Sequence, residues 1–175
     1  MHFVVTINKY FEMNSIVFRS YVIDSDPDTI EKIIRSSGFF YEDEIPIARE
    51  LAEETLKQGE LSGYKFVFAE IDGETLGYAA YGFIDGTDGS YDLYWIAVRN
   101  ELRGKGIGKA ILEEVMVVLK KENGRQLIAE TSSLEKYLPT REFYLHHGFN
   151  LVATIPNFFR VGDDKVFYLK KIKEN

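Results

Sequence analysis

The spacing of apolar and polar residues divides the chain into strand-like and helix-like segments. Short runs rich in β-branched and aromatic residues predict β-strands, and apolar residues at helical spacing predict helices. The predicted strands lie at 16–23, 64–71, 75–84, 91–98, 127–131, 149–155 and 165–169. The predicted helices lie between Asp26 and Gly38 and at 43–58, 107–121 and 140–147.

The order of these segments predicts a mixed sheet flanked by helices, an α/β protein of the α+β type. A turn at 72–74 separates two strands, so residues 64–98 are expected to form a three-stranded meander. The helix at 107–121 would be the crossover that lets strands 91–98 and 127–131 run parallel. Because residues 91–98 are apolar or aromatic at nearly every position, we expect that strand to be covered on both faces.

Length and composition fit one folded domain. The chain has 175 residues, of which 45% are hydrophobic, so it can bury a core. We expect residues 1–14 to be an N-terminal extension of uncertain structure and 15–175 to be a single domain. No apolar run reaches the roughly 18 residues that cross a bilayer. The first residues lack the basic, apolar and small order of a secretory signal, so a cytoplasmic location without membrane contact is expected.

Metal and nucleic-acid chemistry are not expected. The chain has no cysteine, which excludes disulfides and thiolate zinc sites. Its three histidines, His2, His146 and His147, do not have the spacing of a metal cluster. A net charge of −7 repels phosphate backbones and disfavours nucleic acid as a partner. The same charge suits a cationic partner such as an amine, although it also serves solubility.

A glycine-rich segment joins the strand at 91–98 to the helix at 107–121. Gly104, Gly106 and Gly108 fall within five positions, so the backbone can approach a ligand closely. Their N–H groups and those of the helix N-terminus predict a site for an anion such as a diphosphate. Arg103, Lys105 and Lys109 add positive charge. The spacing fits neither a Walker A loop nor a Rossmann fingerprint, and a turn that only caps a helix is the alternative.

The segment 103–108, preceded by Trp95-Ile96-Ala97-Val98, resembles the acetyl-CoA motif of the GNAT family of N-acetyltransferases. The segment 143–149, Phe-Tyr-Leu-His-His-Gly-Phe, is similar to the tyrosine helix of the same family. The resemblance implies a mixed, mostly antiparallel sheet of six to seven strands flanked by about four helices, with two central parallel strands that splay apart. Acetyl-CoA would be the cosubstrate, with no metal. The expected coenzyme contacts are Ile96, Ala97, Val98, Arg103, Gly104, Lys105, Gly106, Ile107, Gly108, Lys109 and Thr140.

The resemblance also implies direct attack of an amine on the thioester in a ternary complex. Tyr144 matches the family tyrosine near the sulfur and is expected to protonate the leaving thiolate; a packing role is the alternative. Glu130 is the expected general base, since a strand in the ribosomal-protein acetyltransferases has a glutamate there and a buried carboxylate with few charged neighbours would have a raised pKa. A solvent-facing glutamate, or attack without a dedicated base, stays open. Thr140 or Arg141 is expected to replace an asparagine that those enzymes carry and this chain lacks.

The acceptor stays open between a small-molecule amine and a protein or peptide amino group. The hairpin at 156–165 has Phe158 and Phe159 where those relatives have tyrosines, which argues against a peptide N-terminus. Residues 39–44 could form the acceptor wall or belong to the core and a helix start, and Tyr137 could face the acceptor or the core. A non-catalytic acetyl-CoA sensor, another acyl donor and a homodimer are further alternatives.

Overall fold

The structure, a computed structural model, describes residues 15–172. The extension predicted at 1–14 lies outside these residues. The strands are β1 (Val17–Arg19), β2 (Tyr64–Ile71), β3 (Glu74–Phe83), β4 (Ser90–Val98), β5 (Gln126–Ser132), β6 (Asn150–Arg160) and β7 (Asp163–Lys171). The α-helices are α1 (Asp26–Ser37), α2 (Glu44–Gln58), α3 (Ile107–Lys121) and α4 (Leu138–His146). This order confirms the predicted α+β architecture.

All seven strands form one sheet in the order β1-β2-β3-β4-β5-β7-β6. Every neighbouring pair is antiparallel except β4 and β5, which are parallel. Helix α3 connects these two strands, as the crossover interpretation requires. The sheet therefore has the predicted mixed and mostly antiparallel character, with its one parallel pair near the centre.

The helices cover the two faces of the sheet unequally. Helices α1 and α2 bury apolar side chains against β2, β3 and β4 on one face, around Phe66, Phe68 and Tyr78. Helix α3 packs on the other face, where the core continues to β5 and β7 through Leu127 and Tyr168. On the first face, no helix formed by residues 15–172 lies over β5, β7 and β6, so these residues leave part of the sheet open beside β4.

The expectation that β4 is covered on both faces is wrong. Tyr94 is 40% exposed, and Asp92 is only partly buried. Both lie where α1 and α2 no longer extend over the sheet. Aromatic side chains such as Tyr94 can lie at a partly exposed position as well as in a core. The apolar run therefore did not show which of these two environments each side chain has.

Strand β1 is shorter than predicted, and strands β6 and β7 are each longer than predicted. Strand β1 ends at Arg19 rather than at residue 23, because the Arg19 guanidinium binds the backbone carbonyl of Tyr21 and the carboxylate of Asp26 and so fixes a turn into α1. Strand β6 continues to Arg160 past Pro156. It is an edge strand, where a residue without an N–H is tolerated.

Within residues 15–172, no helix is long and apolar enough to cross a membrane. The same residues contain no group of three or more histidine, aspartate or glutamate side chains arranged to hold a metal ion.

Candidate active site

Strands β4 and β5 pair over only the first part of their length. Their register runs from Ser90 opposite Gln126 to Leu93 opposite Ala129 and ends there. At the same point β4 contains a bulge, because Ala80 of β3 faces Trp95 while Tyr81 faces Leu93, which leaves Tyr94 unmatched. A bulge bends its strand and increases the local twist. The two parallel strands consequently diverge towards their carboxyl ends, as the resemblance implied.

The glycine-rich segment lies at the carboxyl end of β4. Gly104 and Gly106 have φ angles of 73° and 83°, a left-handed conformation that side chains with a Cβ rarely adopt. Gly106 is the N-cap of α3, and its carbonyl accepts the N–H of Ala110 at 3.0 Å. The amides before Ala110 therefore lie at the helix N-terminus without an intrahelical acceptor. They form the kind of cradle that binds a phosphate group.

Gly108 differs from these two glycines. It lies inside α3, and a Cβ there would be 3.4 Å from the Phe143 ring of α4 and 3.7 Å from the Val98 side chain. These are ordinary van der Waals distances, so the packing of α3, α4 and β4 does not require a glycine at this position. Only the first two glycines are required by the backbone conformation.

A cavity of about 390 Å³ opens between the end of β4, the glycine-rich segment and α4. Ten of the eleven expected coenzyme contacts line it: Ile96, Ala97, Val98, Arg103, Gly104, Gly106, Ile107, Gly108, Lys109 and Thr140. Lys105 is exposed and is not part of the lining. Bare backbone, an uncapped helix start and two cations thus surround one cavity, and these features fit a diphosphate-containing ligand.

The cavity also has walls other than the expected coenzyme contacts. They include Ser37, Phe39 and Phe40 from the end of α1 and the loop after it, Leu102, and Pro139, Phe143 and His147 around α4. The Arg103 guanidinium lies 4.4 Å from the centre of the Phe39 ring. His147 stacks on Phe143 with ring centres 4.3 Å apart, and its Nδ1 lies 2.7 Å from the Phe143 carbonyl oxygen. These contacts join segments far apart in sequence.

Tyr137 lines the cavity on the side of the α1–α2 loop. Its hydroxyl donates to the carbonyl of Phe39 at 3.3 Å and lies 3.4 Å from a Glu44 oxygen. Burial raises the pKa of Tyr137, and the neighbouring Glu44 carboxylate raises it further. Lys136 donates to the same Phe39 carbonyl, and its Nζ lies 3.4 Å from the centre of the Tyr41 ring. The segment 39–44 therefore contributes to the cavity wall and also makes packing and hydrogen-bond contacts with the segment before α4.

Tyr144 does not line the cavity. It is 5% exposed, and its ring packs against Phe149 and Tyr168 with ring centres 5.1 and 5.6 Å away. Burial raises its pKa, which keeps the phenol protonated. Its neighbour Phe143, 5.8 Å away between ring centres, forms the cavity wall. The packing supports the structural alternative, and the acid role stays a prediction.

Glu130 is the residue that follows the last β4–β5 pair. Its side chain is 49% exposed, and one carboxylate oxygen lies 2.7 Å from Lys165 Nζ on β7. The environment is therefore not the buried one with few charges that the base hypothesis assumed. Glu130 does not line the cavity, and its role as a base also stays a prediction.

Asp92 of β4 forms a charged group with Glu130 and Lys165 that the sequence did not reveal. Burial raises the pKa of Asp92, the negative charge of Glu130 raises it further, and Lys165 opposes them. The three residues lie on the open face of the sheet beside the divergence of β4 and β5. Only the register between strands brings these three residues together. They are far apart in sequence, so no local motif predicted the group.

The comparisons agree with this geometry. The acetyltransferase (GNAT) domain family matches residues 62–151. An uncharacterised N-acetyltransferase of Methanocaldococcus jannaschii is 30% identical over 107 residues, which make up 61% of this chain. The chain spans 65% of the length of that curated relative.

Solved structures extend the match over nearly all described residues. A GNAT-family protein of Desulfovibrio desulfuricans is 42% identical, with a TM-score of 0.87 over 90% of this chain and 99% of that one. The PaiA N-acetyltransferase of Thermoplasma acidophilum, solved in complex with coenzyme A, is 23% identical with a TM-score of 0.70. That likeness covers 90% of this chain and 99% of that one and concerns the fold alone. Since the family match covers the segment where the divergent strands, the glycine cradle and α3 occur, the chain belongs to the GNAT acetyltransferase family.

Proposed function

We propose that the chain transfers the acetyl group of acetyl-CoA to a primary amine by direct attack in a ternary complex. The observation that carries the proposal is the cavity at the end of β4, where an uncapped helix start and two left-handed glycines lie beside diverging strands. The helix start and the two glycines suit a diphosphate. The diverging strands suit an extended amide arm, because unpaired strand edges hydrogen-bond to extended chains. Acetyl-CoA supplies an activated acetyl thioester.

The residues suited to hold acetyl-CoA fall into two groups. The amides of 104–109, with Arg103 and Lys109, would bind the diphosphate. The unpaired backbone of Ile96 and Val98 would hydrogen-bond to the pantetheine arm, which then runs along β4 from the glycine-rich segment towards the point where β4 and β5 meet. Thr140 lies at the helical side of the same cavity. In this arrangement the thioester comes closest to residues 94–96 and 130.

The amine would reach the thioester from the open face of the sheet. The other face is filled at this point by Leu93, Ala129 and Tyr144, which are all at most 5% exposed. Asp92 and Glu130 lie on the open side, and a carboxylate there can attract an ammonium group and accept its proton. We assign the base to Glu130 and the proton donor for the leaving thiolate to Tyr144, because a phenol is protonated at neutral pH.

The acceptor class favoured by the site is a small cationic amine. Phe158 and Phe159, which are 49% and 45% exposed, border the open face and offer rings rather than hydrogen-bonding groups. Rings next to carboxylates bind ammonium groups well, whereas the backbone of a peptide needs hydrogen-bond partners. A protein or peptide amino group is therefore the less favoured acceptor.

The test begins with binding. Isothermal titration with acetyl-CoA, propionyl-CoA and succinyl-CoA should give the tightest binding for acetyl-CoA. Thiol release is then measured with spermidine, kanamycin, a lysine-containing peptide and a peptide with a free N-terminus. Release with either small amine supports the proposal. Failure of all three thioesters to bind would contradict it, and tight binding without thiol release from any acceptor would identify a non-catalytic sensor.

A further inference from the structure

Lys165 carries an ammonium group that the protein already holds by the chemistry expected for an acceptor amine. Its side chain is 13% exposed, and Nζ lies 2.7 Å from Glu130 Oε1. The same Nζ lies 4.2 Å from the centre of the Phe158 ring, 5.5 Å from Phe167 and 5.9 Å from Phe159. An ammonium within about 6 Å of an aromatic face is attracted by the ring. One carboxylate and three rings thus surround this amine.

The position of Lys165 is set by two neighbouring strands. It pairs with Ser132 of β5 and Ile155 of β6. Its contact Glu130 follows directly after Ala129, the last residue of β5 that pairs with β4. Lys165 Nζ is consequently anchored where the two parallel strands begin to part.

Alternation along β5 and β7 defines the face on which Lys165 lies. Ala129, Val166 and Tyr168 belong to the core on the side of α3. Successive strand residues point to opposite faces, so Glu130 and Lys165 lie on the open side, where none of the four described α-helices covers β5 and β7. This is the side from which the proposed function brings the amine.

We propose that Lys165 is a self-acetylation site, modified by acetyl-CoA bound to the same chain. This inference rests on the proposed function, because it requires a thioester at the divergence of β4 and β5. Lysines of the helices, such as Lys57, Lys120 and Lys121, are exposed and lie away from this point. Lys165 is distinguished from them by its carboxylate partner and by its place at the parting strands.

The transfer balances as an ordinary aminolysis. The Lys165 ammonium gives one proton to the Glu130 carboxylate, and the free Nζ attacks the thioester carbonyl carbon. The N–C bond forms and the C–S bond breaks. Tyr144 protonates the leaving thiolate to give the free thiol of CoA, and the second Nζ proton restores the Tyr144 phenol. Glu130 then releases its proton to water. The products are an amide at Lys165, CoA and one proton.

The experiment uses the full chain with acetyl-CoA whose acetyl group is deuterated, so that acetyl groups acquired during expression are distinguished by mass. Intact-mass spectrometry follows label uptake, and digestion by trypsin locates it, because acetyl-Lys165 is not cleaved and leaves a peptide from Val161 to Lys170. We expect Lys165 to be labelled at least about 100-fold faster than Lys57, Lys120 or Lys121, the size of a typical general-base and positioning effect. We also expect a rate constant that does not depend on protein concentration.

Three variants sharpen the test. Lys165→Arg keeps the positive charge but cannot be acetylated, so label at this position should vanish while the thermal shift caused by acetyl-CoA is unchanged. Glu130→Gln should slow labelling of Lys165 by about 100-fold. A mixture of the Lys165→Arg and Gly106→Val proteins tests transfer between chains. The Gly106→Val chain retains Lys165 but should bind acetyl-CoA poorly, so label should not appear on it.

The outcomes separate this inference from the proposed function. If acetyl-CoA binds and a small amine is acetylated while Lys165 gains label no faster than the helix lysines, the self-acetylation site is overturned and the proposed function stands. Label that spreads evenly over all lysines, or appears on the Gly106→Val chain in the mixture, also overturns a reaction within one chain. If acetyl-CoA does not bind, both fail.

Discussion

The Arg103 guanidinium lies 4.4 Å from the centre of the Phe39 ring. This contact joins the glycine-rich segment before α3 to the loop between α1 and α2. Arg103 has a cation–π partner in Phe39, and no carboxylate among residues 15–172 forms an ion pair with it. The same side chain lines the cavity, where an anionic group could use it.

We therefore expect Arg103→Met to weaken CoA binding about 10-fold or more, the loss typical of one charge-assisted hydrogen bond. Lys105→Met should have a smaller effect, since Lys105 does not line the cavity. Lys121→Met, at the far end of α3, serves as the control for net charge. Isothermal titration at two salt concentrations measures all three. Equal effects of the three variants would show that only overall charge matters.

Gly106→Val should nearly abolish CoA binding, because the new side chain would occupy the phosphate cradle and a β-branched residue is strained at a φ of 83°. Gly86→Val is the matched control. Gly86 has a φ of 76° in a turn with no atom within 4 Å of an added Cβ, so it suffers comparable backbone strain away from the cavity. The two variants should lose similar thermal stability, while only Gly106→Val loses CoA affinity by titration. Unchanged affinity in a folded Gly106→Val protein would contradict the cradle assignment.

Tyr144→Phe should lower kcat for acetyl transfer by about 100-fold while leaving the Kd of acetyl-CoA unchanged, if the phenol protonates the leaving thiolate. Tyr168→Phe is the control, since it removes a hydroxyl from a ring that packs on Tyr144. Steady-state kinetics with the acceptor found by the amine panel measures both. Wild-type kcat in Tyr144→Phe would leave this residue with a packing role alone.

The sequence predicted those parts of the site whose geometry is local. Gly104, Gly106 and the start of α3 lie close together in sequence. Their conformation follows from glycine, which tolerates a positive φ, and from a helix start without a side-chain cap. The parting of β4 and β5 came from the family resemblance. The structure adds its physical cause, a bulge at Tyr94 where pairing ends.

The acceptor side could not be predicted in the same way. Glu130 and Lys165 meet because β5 and β7 pair in a particular antiparallel register, and a shift of one residue would turn Lys165 to the opposite face. Arg103 and Phe39 meet only because α1 packs across β4. Such contacts depend on the tertiary arrangement, which no short segment encodes. The expected burial of Glu130 failed for the same reason, since α1 and α2 stop short of β5.

Asp92→Asn should stabilise the protein near neutral pH and have no such effect in strong acid. Burial raises the pKa of Asp92 above its ordinary value of 3.8, so its ionised form is less favourable in the folded state than in the unfolded state. As the pH rises through the ordinary value, the unfolded chain loses this proton first, and the free energy of unfolding falls until the folded carboxyl is also ionised. At about pH 2 both states are protonated, and the carboxyl carries no penalty.

The measurement is a thermal-unfolding series of wild type and Asp92→Asn from about pH 2 to pH 7. The Tm of the variant should exceed that of wild type at the upper end, and the difference should shrink towards zero on acidification. Asp88→Asn is the matched control, because this carboxylate on the loop before β4 is 97% exposed and should give no such trend. A lower Tm for Asp92→Asn near pH 7 would mean that the attraction of Lys165 outweighs burial and the repulsion of Glu130. The folded protein would then favour the ionised Asp92 carboxylate paired with a cation over its protonated form. A base role for Asp92 beside Glu130 would be excluded.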